Sequence, residues 1–120
     1  MTAKTPAELS DSAAESVRSL NHATLQQSSN GWQYPGDAYS VVGNLAHMAG
    51  MLPQAIGQLE SLIGSLEDGG NLRSDQGPED LPGRLIEFHG AIADAIGQAH
   101  ALQRALDRAH QALGAIAYEE

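Results

Sequence analysis

The sequence contains no cysteine and few basic side chains. Among its 120 residues, six are lysine or arginine and 15 are aspartate or glutamate, which gives a formal net charge of −9. The absence of cysteine excludes disulfide bonds and thiolate chemistry. Because phosphates and anionic lipids are bound by basic side chains, we expect no nucleic-acid partner and no membrane partner.

Aromatic residues and long apolar runs are also scarce. Aromatics make up 4% of the chain, with one tryptophan and one phenylalanine, so the core must consist of aliphatic residues and alanine. This composition favours helices over sheets. No run of about 20 apolar residues could span a membrane, and "MTAKTPAELSDSAAES" lacks the apolar segment of a secretory signal peptide. We expect a cytoplasmic protein, with secretion by a route that needs no such signal left open.

Turn-forming residues divide the chain into three helical segments. Thr5, Pro6 and Glu8 form a predicted capping box that starts the first helix, which should end near Gln27. The polar stretches "SSNGWQYPGD" and "EDGGNLRSDQGPED" separate it from predicted helices over about 37–67 and 81–117. The sequence therefore predicts one helical domain over 1–120.

Apolar residues recur at alternating spacings of three and four along the second and third helices. In the second helix this seam consists of Ala38, Val42, Leu45, Ala49, Leu52, Ile56, Leu59, Ile63 and Leu66. In the third it consists of Leu85, Phe88, Ile92, Ala95, Ala99, Leu102, Leu106, Ala109, Leu113 and Ile116. Such spacing is typical of long helices that pack at a shallow angle. We therefore predict an all-α fold, an antiparallel three-helix bundle built on a long helix 2–helix 3 hairpin.

The second helix also carries a glycine at every seventh position, at Gly43, Gly50, Gly57 and Gly64. Each costs a helix up to about 1 kcal/mol relative to alanine, and Pro53 costs about 3 kcal/mol more. We expect a closely packed helix, from this chain or a second copy, to offset this cost. Gly50→Ala and Gly57→Ala should then destabilise the protein by about 1–3 kcal/mol. The alternative is that the glycines only reflect the composition of the chain.

The turn "NGWQYPG" carries the single tryptophan, Trp32. A tryptophan in such a turn usually covers the end of a core. If exposed, Trp32 and Tyr34 would instead anchor a binding partner. Together with the four glycines, these two aromatic residues are the candidate interaction residues.

No pattern predicts chemistry. The five histidines, at positions 22, 47, 89, 100 and 110, contain no His-x-x-x-His or Glu-x-x-His pair that would start a metal site. Neither a phosphate-binding glycine loop nor a nucleophilic serine motif is present. We expect no catalytic, cofactor or metal site. The remaining metal alternative combines His22, His47 and one histidine of the third helix with Asp94 or Glu87.

Three stretches resemble known families. The pattern "W-x-YPGDAYSVVGNLAHMAGMLPQAIGQL" resembles uncharacterised small helical proteins of high-GC actinobacteria, which implies no particular activity. The tryptophan-bearing turn of a small acidic chain resembles the WXG100 (ESAT-6-like) secreted proteins, although Gly31-Trp32-Gln33 stands where that family has Trp-x-Gly. The stretch "NLAHMAGML" is similar to the DinB four-helix metal proteins.

These observations favour a protein that is not an enzyme. The function we expect is that of a non-catalytic helical interaction or scaffold module that self-associates, as a homodimer, or binds another helical protein. A WXG100-like secretion substrate or secretion partner is the alternative, and a metal-binding helical bundle is the third hypothesis.

Overall fold

The structure, a computed structural model, describes residues 3–120 and consists of three α-helices. These are α1 (Pro6–Ala23), α2 (Pro35–Asp68) and α3 (Leu81–Leu113). The described residues are 72% helical, and they contain no strand beyond an isolated bridge between Ser29 and Trp32. The predicted all-α fold is confirmed.

Local side-chain chemistry explains where α1 and α2 begin. The Thr5 hydroxyl accepts the Glu8 backbone N–H at 3.2 Å, and the Glu8 carboxylate accepts the Thr5 N–H at 2.9 Å, which completes the predicted capping box. α2 begins at Pro35, two residues before the predicted start. The Asp37 carboxylate accepts the backbone N–H groups of Gln33 and Tyr34, at 2.8 and 3.0 Å. Asp37 therefore lies in the first turn and holds the preceding chain against it.

α1 and α3 end earlier than the apolar pattern predicts. α1 ends at Ala23, and left-handed backbone at Ser28 (φ 70°) and Gly31 (φ 76°) turns the chain towards α2. α3 ends at Leu113, directly before Gly114. At the end of α1 the Thr24 hydroxyl donates to the Leu20 carbonyl at 2.9 Å, and at the end of α3 the Gly114 N–H donates to the His110 carbonyl at 3.0 Å.

Helices α2 and α3 form the predicted antiparallel hairpin. The start of α2 lies beside the end of α3, since Tyr39 is close to Gly114 and Gly43 is close to His110. Gly50 faces Gln103 further along the pair. The molecule measures 67 × 35 × 26 Å with a radius of gyration of 19.6 Å, against about 14 Å for a compact domain of this length. The hairpin therefore determines an elongated shape.

Helix α1 lies apart from the hairpin. No Cα atom of α1 comes within 8 Å of a Cα atom of α2 or α3, and α1 has no buried residue. An open groove of about 250 Å³ separates α1 from the first half of α2, and it is lined by Ala13, Ser16, Val17, Leu20, Val41, Asn44, Leu45 and Met48. Helix α1 thus faces the first half of α2 across an open groove.

The buried core is small. Among the described residues, the buried apolar positions are Ala46, Ala49 and Ala99, at 2–6% exposure, and no large side chain is fully buried. Alanine on both helices allows α2 and α3 to approach closely. Larger apolar side chains of the hairpin, such as Ile56, Ile63 and Phe88, are half-buried.

Candidate functional site

Two of the four glycines that recur every seven residues along α2, Gly43 and Gly50, leave space that polar side chains of α3 occupy. A methyl group on Gly43 would lie 2.9 Å from Nε2 of His110, and one on Gly50 would lie 2.5 Å from Nε2 of Gln103. The His110 ring also stacks on Tyr39, with centroids 4.0 Å apart and planes 19° apart. Gly43 and Gly50 therefore pack within the chain.

The other two glycines of this row, Gly57 and Gly64, have no close neighbour in the chain. Within 4 Å of a methyl group placed on Gly57 or Gly64, the structure contains no atom of another residue beyond the helix's own adjacent backbone. Both glycines are only half-buried. The expectation that Gly57→Ala destabilises the chain by overpacking is therefore wrong for the isolated chain, because the space for a methyl group is free.

Trp32 and Tyr34 lie where the chain enters α2. The Trp32 backbone carbonyl accepts the Ser28 N–H at 3.0 Å, and the Trp32 N–H donates to the Ser29 carbonyl at 2.9 Å. The Trp32 side chain is half-buried, whereas Tyr34 is 52% exposed and meets Tyr118 edge-on at 5.2 Å. Their role as partner anchors stays a prediction, as does that of the glycines.

A strip of uncharged residues runs along the side of α2 away from α3. We call it the outer strip, and it consists of Met51, Leu52, Ala55, Leu59 and Leu62. Steps of three and four residues join the last four of these positions, and Met51 lies four residues before Ala55, so all five lie on one side of the helix. The side chains of Met51, Leu59 and Leu62 are 54–57% exposed, and Leu52 is 39% exposed. α1 lies across an open groove from the first half of α2, whereas the outer strip lies on the second half.

Two residues of the outer strip are predicted from the sequence to face the third helix instead. Leu52 and Leu59 belong to the seam predicted to face the third helix, yet both are exposed. Leu102, predicted in the facing seam, is 49% exposed, and Gln103 lies against α2 in its neighbourhood. The signal that could have found part of this arrangement is the group of small residues Gly43, Ala46 and Gly50, which lies where α3 approaches α2.

His89 of α3 joins two turns of α2. Its Nδ1 lies 3.1 Å from Oε2 of Glu60, and its Nε2 lies 3.1 Å from Oε1 of Glu67. Ionised carboxylates only accept hydrogen bonds, so both contacts are satisfied together only when both ring nitrogens carry protons. The hydrogen bonds to Glu67 and Glu60 accordingly raise the pKa of His89 above its usual 6.5. This cluster, the His89 clasp, ties α2 to α3 near the loop.

The clasp does not resemble a metal site. Both ring nitrogens of His89 already contact carboxylates, and in residues 3–120 no group of three or more His, Cys, Asp or Glu side chains is placed to hold a metal ion. The combination of His22 and His47 with a histidine of α3 is therefore not assembled.

The described helices include none that is long and apolar enough to cross a membrane. No known family model, no curated protein and no solved structure matches this chain.

Proposed function

We propose that this protein is a non-catalytic helical interaction module that self-associates as a homodimer. The observation that carries the proposal is the contrast between core and surface. Among the described residues three alanines are the buried apolar ones, while six larger apolar side chains on α2 and α3 stay 39–73% exposed, namely Met51, Leu52, Leu59, Leu62, Ile86 and Leu102. Burying such side chains supplies most of the free energy of folding and association, so a second layer of protein would stabilise this hairpin.

The total surface supports the same conclusion. The accessible surface of the chain is 9268 Å², whereas a compact monomer of 12.6 kDa exposes about 6,200 Å². A stable protein–protein interface removes about 1,200–2,000 Å² in total. The isolated chain therefore has surface to spare for an interface of standard size.

Homodimerisation is favoured over the other hypotheses by the kind of surface that is exposed. It is apolar and extends along helices, as in assemblies of helical hairpins. The secretion and metal hypotheses depend on Trp32 and on the histidines. Trp32 lies in the α1–α2 turn rather than between the two long helices, and the clasp occupies both nitrogens of His89.

The dependence of melting temperature on protein concentration tests the proposal. A homodimer that dissociates on unfolding melts at a higher temperature when the protein is more concentrated, by mass action. We expect a clear rise in melting temperature over a roughly hundredfold range of concentration. A melting temperature that does not change over this range would contradict self-association.

A further inference from the structure

We propose that the His89 clasp is a pH-sensitive latch on the loop end of the hairpin. With both ring nitrogens protonated, His89 holds the last turn of α2 against α3. Loss of one proton releases Glu67, and this turn then opens while the middle of the hairpin stays closed. The latch belongs to a single chain, so it does not depend on the proposed self-association.

The geometry of the ring makes the clasp depend on two protons. Nδ1 of His89 lies 3.1 Å from Oε2 of Glu60, and Nε2 lies 3.1 Å from Oε1 of Glu67. A neutral imidazole has one N–H group and one nitrogen lone pair, which would then face a carboxylate oxygen. Because two acceptors that face each other repel, the neutral ring keeps one contact and loses the other.

Position along α2 determines which contact is lost. Glu60 lies inside the helix, more than two turns before its end, whereas Glu67 lies in the last turn beside Asp68, and that turn contains no basic residue. The carboxyl end of a helix favours positive charge and disfavours negative charge. His89 of α3 therefore supplies the cation that this helix end lacks. Once the ring is neutral, Glu67 is repelled by both Asp68 and the helix end, and it is the carboxylate released.

No other basic side chain in the described residues replaces His89. The charged groups that act on its ring are Glu60 and Glu67, both from α2, and α1 lies beside the other half of α2. The two basic residues near the loop pair with acidic neighbours, Arg73 with Asp75 at 3.8 Å and Arg84 with Asp80 at 2.7 Å. The state of the latch is therefore determined by the protons on His89.

The backbone that follows Glu67 depends on the last turn of α2. The N–H groups of Gly69, Gly70 and Asn71 donate to carbonyls of this turn over 3.0–3.2 Å. These hydrogen bonds persist only while the turn stays helical. They are the bonds that should open when the latch releases Glu67.

The latch is closed at low pH and opens as the pH rises. The hydrogen bonds to Glu67 and Glu60 raise the pKa of His89 above its usual 6.5. The ring is therefore fully protonated below that value, and both contacts persist until the pH passes the raised pKa. Histidine titrates where carboxylates stay ionised, so the opening reflects His89 rather than its two partners.

Hydrogen exchange followed by nuclear magnetic resonance tests the latch one amide at a time. Each exchange rate is divided by that of an unstructured peptide at the same pH, so the remaining pH dependence reports opening. Between about pH 5.5 and about pH 9, on either side of the His89 titration, we expect protection over 65–71 to fall by about tenfold or more. Protection around Ala49 and Ala99 should change by less than about twofold.

Glu67→Gln and Asp68→Asn form a matched pair of variants, whose folding circular dichroism verifies. A glutamine amide both donates and accepts hydrogen bonds, so it can pair with Nε2 of His89 whether or not that nitrogen carries a proton. Glu67→Gln should therefore keep the last turn of α2 protected at both pH values. Asp68→Asn removes a negative charge at the same helix end without altering a partner of His89, and it should retain most of the wild-type fall.

The nitrogen chemical shifts of the His89 ring provide a second measurement that needs no variant. At high pH the neutral ring should carry its proton on Nδ1, where it donates to Glu60, and Nε2 should be bare. A neutral ring protonated on Nε2 would mean that Glu67 is retained, which overturns the latch.

The exchange outcomes also separate the latch from a general loss of stability. A fall confined to 65–71, absent in Glu67→Gln and present in Asp68→Asn, supports the latch. Wild-type protection that does not change with pH, or a fall that persists in Glu67→Gln, overturns it. An equal fall throughout α2 and α3 overturns it as well, because the whole hairpin would then open together.

Discussion

At the scale of single residues, equal spacing in the sequence corresponds to unequal surroundings in the structure. The glycines of α2 recur every seven residues, yet Gly43 and Gly50 face polar side chains of α3, whereas Gly57 and Gly64 face free space. The sequence shows where a helix has small residues. It does not show what lies opposite, because that depends on the register between two helices.

Gly43→Ala should destabilise the protein. The added methyl group would lie 2.9 Å from His110, and the stacking of His110 on Tyr39 limits how the ring can move. We expect a loss of about 1–3 kcal/mol in the free energy of unfolding, the usual cost of overpacking. Urea denaturation measures this loss, and an unchanged midpoint would show that the ring moves aside freely.

Gly57→Ala should have the opposite effect. The methyl group meets no atom within 4 Å, so the higher helix propensity of alanine should stabilise α2 by up to about 1 kcal/mol. The same urea denaturation experiment applies, with Gly64→Ala as a matched variant of the same kind. Destabilisation by both variants would mean that another chain packs closely against this part of α2.

At the scale of helices, the sequence predicts the hairpin but not its register. The alternation of three and four residues identifies two long helices that pack together, and the structure confirms this. Most of the predicted seam is buried or half-buried, but Leu59 and Leu102 are exposed, while Gln103 and His110 lie against α2. The spacing of apolar residues could not predict this. It places polar residues such as Gln103 and His110 on the solvent side of α3, whereas in the structure they pack against glycines of α2.

The His89 clasp predicts a pH dependence of hairpin stability. Because the contacts with Glu60 and Glu67 raise the pKa of His89 above 6.5, the stabilisation is complete below pH 6.5 and is lost as the pH rises through the higher pKa of the folded state. The melting temperature should therefore fall over this range in the wild type, and it should fall less in His89→Gln.

A matched control separates the clasp from the other histidines. His100→Gln removes an exposed histidine of the same helix and should keep the wild-type pH dependence. An identical dependence in the wild type and His89→Gln would contradict the clasp. A titration of the His89 ring by nuclear magnetic resonance should independently give a pKa above 6.5.

Helix α1 should be the least protected of the three helices. It has no buried residue and keeps its Cα atoms more than 8 Å from those of the hairpin, so opening α1 costs little compared with opening α2 or α3. Hydrogen–deuterium exchange should show fast exchange over Pro6–Ala23 and slower exchange around Ala46 and Ala99. Equal protection of all three helices would mean that α1 is held by contacts beyond the open groove.

At the scale of the whole molecule, the amino-acid composition predicts the fold class but does not predict the size of the buried core. Hydrophobic residues make up 42% of the chain, which is enough for the core of an ordinary globular domain. In the described residues the buried apolar positions are alanines, residues such as Ile56 and Phe88 are half-buried, and the elongated hairpin exposes others, among them Leu59 and Leu62. That distribution could not be predicted from apolar content, because it depends on which side of α2 meets α3.

The solution mass of the wild-type protein tests the central claim most directly. Light scattering during size-exclusion chromatography, at concentrations of about 10–100 μM where a standard interface is populated, should give twice the chain mass of 12.6 kDa. A mass of one chain throughout this range would contradict the claim that a second copy covers the exposed apolar surface of the hairpin.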